Sequence, residues 1–231
     1  MDYYNEWQAL ITTLKLATVT TVILLIIGTP LAWWLARMQS RIKVIFEALV
    51  ALPLVLPPTV LGFYLLLLFS PAYPTGSLLQ KLTGSSLAFS FTGIVIGSIL
   101  YSLPFVVQPL QKAFEQLGDS HLEAATMLGA GPVDRFFSVV VPMTKATFIT
   151  AASLGFAHTI GEFGVVLMIG GNIAGETRVL SIALFDQVEA MNYQTAHVLA
   201  AGLLIGSVIL LAFIYLLNYR SDKSIKAVNN A

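Results

Sequence analysis

The sequence predicts an all-α integral membrane protein with about five transmembrane helices. Two observations carry that expectation. Hydrophobic residues make up 57% of the 231-residue chain and charged residues only 10%, where a soluble domain has about 25% charged residues. So few charges cannot coat a globule of this length, and lipid must be the solvent for much of it. In addition, five apolar segments reach the length of about 20 residues that a crossing helix needs: 16–36, 44–69, 88–110, 148–169 and 198–219. A backbone in lipid must satisfy its own hydrogen bonds, so all five are expected as helices. Residues 1–231 are expected to form a single transmembrane domain.

The first span follows MDYYNEWQAL, which is acidic and polar where a signal peptide would be basic. Its apolar run is too long for a signal core and lacks a small-residue cleavage site, so it is expected to be retained. The second span carries Pro53, Pro57 and Pro58. Proline removes a backbone donor and kinks a helix; Pro57 and Pro58 are candidates for a gate, with a kink needed only for packing as the equal alternative. Glycines four apart stand in the third span (Gly93, Gly97) and the fifth (Gly202, Gly206), and Ser153, Ala157 and Gly161 form a similar stripe in the fourth. Such spacing lets helices approach closely, within the chain or between copies. The fourth span also holds His158 and Glu162, which on a continuous helix share a face and can pair. A charged residue in mid-membrane costs about 2.5–3.5 kcal/mol on insertion scales and usually faces protein or water. His158, Gly161 and Glu162 are therefore pathway candidates, against a structural hydrogen bond between helices.

Basic residues orient the spans. Arg37, Arg41 and Lys43, then Lys112, Arg135 and Lys145, then Arg220, Lys223 and Lys226 fall on one side; Lys15, Lys81 and Arg178 fall on the other. The basic side is cytoplasmic, which puts the N-terminus outside, the C-terminus inside, and segments 70–87 and 170–197 outside. Within the latter, RVLSIALFDQVEAM has the pattern of a short amphipathic helix at the membrane surface. No Lys or Arg is expected inside a span.

Between the third and fourth spans lies HLEAATMLGAGPVDRFFSVVVP, a polar segment starting at residue 121. Leu117-Gly118 ends the preceding helix. Asp119 or Ser120 is placed to cap a new one, and Ser120 with Glu123 fits a capping box. Gly129 and Gly131 stop that helix, and Pro132 suits the first turn of the next. A bare alanine face and the apolar Phe136, Phe137 and Val140 complete the segment; a plain solvated loop is the alternative on propensity alone.

The pattern Glu123-Ala124-Ala125, then Gly129, then Val141-Pro142 resembles the EAA loop of ABC importer permeases. GEFGVVLMIGGNIAGETRVLSIALF (161–185), LPLVLPPTVLGFYLLL (52–67) and LGAGPVDRFF (128–137) are similar to molybdate permeases, so the resemblance spans nearly the whole chain. It implies a type I ABC importer permease fold in the bacterial inner membrane. It implies a homodimer, two cytoplasmic ATPase subunits that carry the ATP and Mg, and an external molybdate-binding protein. The loop of about 118–145 would then couple to the ATPase through Glu123, Ala124, Ala125, Gly129, Gly131, Phe136 and Pro142. The binding protein would dock on 170–197, with Gly175, Glu176, Thr177 and Arg178 as contact candidates. Related molybdate permeases often carry arginine where this chain has His158, so a fixed positive charge is missing there. Tight dianion sites want such residues or several oriented donors, and the chain is expected to lack a high-affinity oxyanion site.

Several classes are disfavoured. Without cysteine there is no disulfide framework or thiolate metal site. Gly-Lys never occurs, so there is no phosphate-cradling loop, and neither HExxH nor GxSxG is present; nothing suggests an enzyme acting alone. A net charge of zero gives no bias toward nucleic acid. A sulfate/thiosulfate or tungstate cargo remains open. A proton-coupled secondary transporter using His158 and Glu162 should show an internal repeat, and none is evident across the five spans. A non-transporting scaffold leaves the polar loop unexplained.

Overall fold

The computed structural model describes the backbone of residues 3–229 and the side chains of residues 5–216. Helix α1 (Tyr3–Arg37) covers the first span but begins thirteen residues before its expected start. At 1.5 Å per residue it is about 50 Å long, well beyond a hydrocarbon core of about 30 Å. Lys15 therefore lies inside a spanning helix, against expectation. Its long apolar stem allows this, and its ammonium sits 4.3 Å from the centroid of the Phe91 ring.

The second span is not one kinked helix. It is α2 (Lys43–Val55) and α3 (Pro58–Phe69), bent by 109° at the break. The cause is the proline pair. A residue before proline is driven out of the helical region: Leu56 has ψ 134° and Pro57, itself before Pro58, has ψ 135°. Pro58 then starts α3, where a missing N–H costs nothing. Pro53 is accommodated inside α2. The following segment contains a helix that the sequence pattern did not single out, α4 (Pro74–Thr83).

Helix α5 (Phe91–Leu117) is the central post, packed by α1, α2, α9 and α10. Ser90 caps it, accepting a hydrogen bond from the Gly93 N–H at 3.1 Å. The polar segment then forms α6 (Ser120–Met127) and α7 (Pro132–Arg135), a π-helical turn over Phe136–Val140, and α8 (Val141–Met143). A bend of 77° leads into α9 (Lys145–Ile160).

The fourth span is also broken. It ends at Ile160 and resumes as α10 (Gly164–Gly170), with Phe163 at φ −128°, ψ −61° between them. Ser181 Oγ donates to the Glu162 carbonyl at 2.6 Å, so the interruption is satisfied by a neighbour. Glycines on the adjoining helices make room for α10. A Cβ on Gly97 would collide with Ile169 Cδ1 and lie 3.0 Å from Val165 Cγ1; one on Gly62 would lie 2.8 Å from Met168 Cβ.

Helix α11 (Leu180–Glu189) forms where the amphipathic pattern suggested, but Leu180, Ile182 and Ala183 are buried within the chain. Helix α12 (Tyr193–Asn229) completes the fold. The side chains of Arg220, Lys223 and Lys226, used above for orientation, lie outside the described residues. Among the described residues three continuous helices are long and apolar enough to cross a membrane, or five spans if each bent pair counts as one. Two apolar clusters form the core along α1 and α5, one with Leu16, Ile94 and Ile169, the other with Leu24, Val106 and Phe114.

Candidate functional site

The polar segment is built on the end of the α1–α5 pair. Asp119 precedes α6 but makes no side-chain cap, and the expected Ser120–Glu123 box does not form among the described residues. Asp119 has helical torsions, φ −96° and ψ −23°, whereas an N-cap aims its side chain from extended ones. Its carboxylate is instead paired with Arg37 at the end of α1. Arg37 also lies over the Trp33 ring at 4.6 Å. Sequence reasoning missed this tether, because its two ends are 82 residues apart.

Leu122 fixes one face of α6 in the core, leaving Glu123 and Ala124 exposed and Ala125 half-buried. The turn that follows uses its two glycines differently. Gly129 has φ +86° and its N–H donates to Thr126 O at 2.9 Å, while the Ala130 N–H donates to Ala125 O at 3.0 Å. Gly131 has an ordinary φ of −71° and simply precedes α7. Arg135 Nη1 donates to Thr126 Oγ1 at 2.6 Å, bracing α7 against α6.

Phe136 does not face outward. Its ring lies 5.4 Å from Trp33 and 6.2 Å from Phe114, so it anchors the segment to α1 and α5. The outward apolar face belongs to Met127 (88% exposed), Leu128 (89%), Val133 (70%) and Phe137 (65%). Met127, Leu128 and Val133 had no assigned role; the available signal was apolar residues flanking a glycine turn on both sides. Pro142 is exposed beside them. A cavity of about 300 Å³ opens between Arg37, Glu123, Pro132 and Arg135, and Arg37 Nε and Nη2 have no hydrogen-bond partner among the described residues.

A second constellation lies where the broken helices meet. A Cβ on Gly164 would sit 2.8 Å from Pro58 Cβ, so the start of α10 rests directly on the start of α3. Pro58 and Gly164 thus join the two breaks, with Pro57 on one side and Gly161 and Glu162 on the other adjoining that contact along the chain. The expected His158–Glu162 pair is absent. A four-residue spacing shares a face only while the helix continues, and α9 stops between them. His158 Nδ1 is 2.9 Å from Ser102 Oγ, which is 3.2 Å from Thr159 Oγ1, and its ring stacks on Phe105 at 4.0 Å. Glu162 is 4% exposed, and its carboxylate faces the buried hydroxyl of Ser98 on α5.

At the opposite end, Gly175 and Glu176 are exposed. Thr177 is fully buried: its Oγ1 donates to Gly170 O at 2.6 Å and accepts from the Ile173 N–H at 3.0 Å. It is a turn staple and presents no surface to a partner, contrary to expectation. Arg178 is paired with Asp186 at 3.0 Å.

Residues 28–226 match the family model described as binding-protein-dependent transport system inner membrane component. The molybdenum transport system permease protein ModB of Azotobacter vinelandii is 59% identical over 211 residues, covering 91% of this chain and 93% of that protein. The sulfate transport system permease protein CysT of Escherichia coli is 33% identical over 213 residues, 92% of this chain and 76% of that protein. Among solved structures, a bacterial ABC transporter involved in the import of the acidic polysaccharide alginate matches with a TM-score of 0.75 at 16% identity, over 92% of this chain and 78% of that one. The MetNI methionine ABC transporter matches with a TM-score of 0.58 at 17% identity, over 98% and 95%. At such identities the structures share the fold alone.

Proposed function

The chain belongs to the binding-protein-dependent transport system inner membrane components, and from that premise we propose that it is the permease subunit of a molybdate ABC importer. The observation that carries the cargo is the 59% identity to a molybdenum permease over nearly the full length of both chains. Sulfate permeases are more distant, at 33% and 36% identity, and extend well beyond the matched region. The chain is a transport subunit and not an enzyme.

Two copies surround one pathway in the bacterial inner membrane. Two separate ATPase subunits, which hold the ATP and Mg, grip the α6–α7 end from the cytoplasm. The exposed Met127, Leu128, Val133 and Phe137 give that grip an apolar surface, of the kind that a partner helix or groove covers. Glu123, Ala124 and the Gly129 turn set its shape, and Phe136 ties it to the spans. A binding protein delivers the anion at the other end, where Gly175 and Glu176 are exposed. ATP binding favours one of two arrangements of the pair, and hydrolysis resets it, which is alternating access driven by differential binding energy. The packed breaks at Pro58 and Gly164 are the gate element. A buried acid, Glu162, stands beside them where a tight dianion site would want cations; equilibrium dialysis of the permease alone with labelled molybdate should show no submicromolar binding.

The deciding experiment is uptake of labelled molybdate in cells lacking this gene, restored with the wild-type chain, with and without excess sulfate. Restored uptake that resists sulfate is expected. Uptake abolished by sulfate would change the cargo, and uptake that collapses with an uncoupler while ignoring ATP would change the class.

A further inference from the structure

Between the N-terminal half of α1 and α12 runs a seam that the chain leaves open. Its upper part is a cavity of about 770 Å³ bounded by Trp7, Leu10, Leu199 and Gly202. Leu10 also lines a second cavity of about 170 Å³ that continues along Leu203, Gly206 and Leu210. A Cβ on Gly202 or Gly206 would meet nothing within 4 Å, so these glycines do not serve contacts to another described part of the chain. From Val198 to Leu210 the seam follows α12 for about 18 Å, the reach of an extended fatty acyl chain. At its mouth stands Glu6. Its Oε1 accepts from Gln187 Nε2 at 3.0 Å, but its Oε2 is buried with no hydrogen-bond partner among the described residues. Of the three cations placed at this end, Lys15 lies over Phe91 and Arg178 pairs with Asp186, and Lys81 stands on α4, outside the described lining of the seam.

A buried carboxylate oxygen without a partner costs free energy that a cation or donor would recover. We propose that the seam holds one acyl chain of a phospholipid with a primary-amine headgroup, its ammonium on Glu6 and its chain on Gly202 and Gly206. Trp7 flanks the mouth and is exposed, as aromatic side chains are at membrane–water interfaces. A second copy of this chain is a poorer occupant. A two-fold interface brings the same patch from both sides, and the described lining of the seam holds no cation that a second copy could set against Glu6. The inference needs the chain to be in a bilayer and is independent of its cargo.

The test uses the permease purified with its ATPase subunits. Native mass spectrometry counts retained lipid, and thermal unfolding is compared in phosphatidylethanolamine and phosphatidylglycerol of matched acyl chains. One retained phosphatidylethanolamine per permease chain and a higher midpoint in that lipid are expected. Glu6→Gln, a near-isosteric change, should abolish the headgroup preference, and Gly202→Leu should fill the trough and remove the retained lipid. Equal retention and midpoints in both lipids for the wild type, or unchanged behaviour of both variants, would overturn the proposal. So would disulfide capture of a second copy through Gly202→Cys, which is unambiguous because the chain has no other cysteine.

Discussion

Replacing Gly129 by alanine isolates a single physical effect. A Cβ there meets nothing within 4 Å, so no packing cost arises. The whole penalty comes from φ +86°, a left-handed conformation that costs an L-residue about 1–2 kcal/mol. If the turn relaxes to escape it, the hydrogen bonds from Gly129 to Thr126 and from Ala130 to Ala125 are lost and α6 swings relative to α7. At about 1.4 kcal/mol per factor of ten, the native turn should lose population by about five- to thirty-fold. Gly131 is the internal control. It is two residues away with equally open surroundings, but its φ of −71° suits any residue; Gly131→Ala should change uptake by less than about two-fold. Asparagine tolerates the left-handed region better than alanine, so uptake should rank Gly, then Asn, then Ala at position 129. The assay is labelled molybdate uptake normalised to permease level in the membrane, with ATPase activity of the reconstituted complex alongside. Equal damage from the two alanines, or full uptake with Gly129→Ala, would refute the turn's coupling role.

Four further outcomes follow from named residues. Gly97→Ala drives a methyl into Ile169 Cδ1 and should destabilise by about 1–3 kcal/mol; Ile169→Val, which deletes that atom, should restore the thermal midpoint. Thr177→Val strips the Gly170 carbonyl and the Ile173 N–H of their shared partner and should cost about 1–3 kcal/mol. Glu176→Ala, on the exposed surface, should leave the midpoint unchanged and alter only the dependence of uptake on the binding protein. Arg37→Ala removes an ion pair that is partly exposed on both sides, worth about 1 kcal/mol or less. Uptake should nevertheless fall relative to ATP hydrolysis, because α6 loses its tether to α1; a proportional loss of both activities would show that Arg37 contributes stability alone.

What the sequence revealed depended on how local the cause is. The α6–α7 turn was legible because Gly129, Gly131 and Pro132 act on their own backbone. The spans were legible because hydropathy adds up over about 20 residues. The same averaging hid both breaks, since 44–69 and 148–169 stay apolar straight through them. The first left a trace in Pro57-Pro58. The second rests on distant residues, Gly62 and Gly97, which provide the bed for α10. The capping box failed for a related reason. Ser120 and Glu123 had the right spacing, but Asp119 is held by a cation 82 residues earlier in the chain. Phe136 could be read only as an apolar residue of the coupling segment, because nothing local reveals that Trp33 and Phe114 await it.

On the proposed reading, the ATPase-facing segment and the gate element lie at two ends of one rod. Helix α9 begins at the bend after Thr144, whose Oγ1 donates to Val140 O at 2.7 Å within the π-helical segment. It ends at Ile160, one residue before the break. Sixteen residues give a rod of about 24 Å, stiffened by its packing on α5 and α1. The rod has a bend at each end and no proline within it. In the proposed importer, a displacement of α6–α7 would emerge at the α9–α10 break, where Gly164 rests on Pro58. A proline inside α9, as in Ala152→Pro, should soften the rod without touching either end. The expected result is ATP hydrolysis that persists while molybdate uptake is lost in correctly inserted protein. Uptake that survives would mean the motion travels instead through α5, which packs against both breaks and against α9.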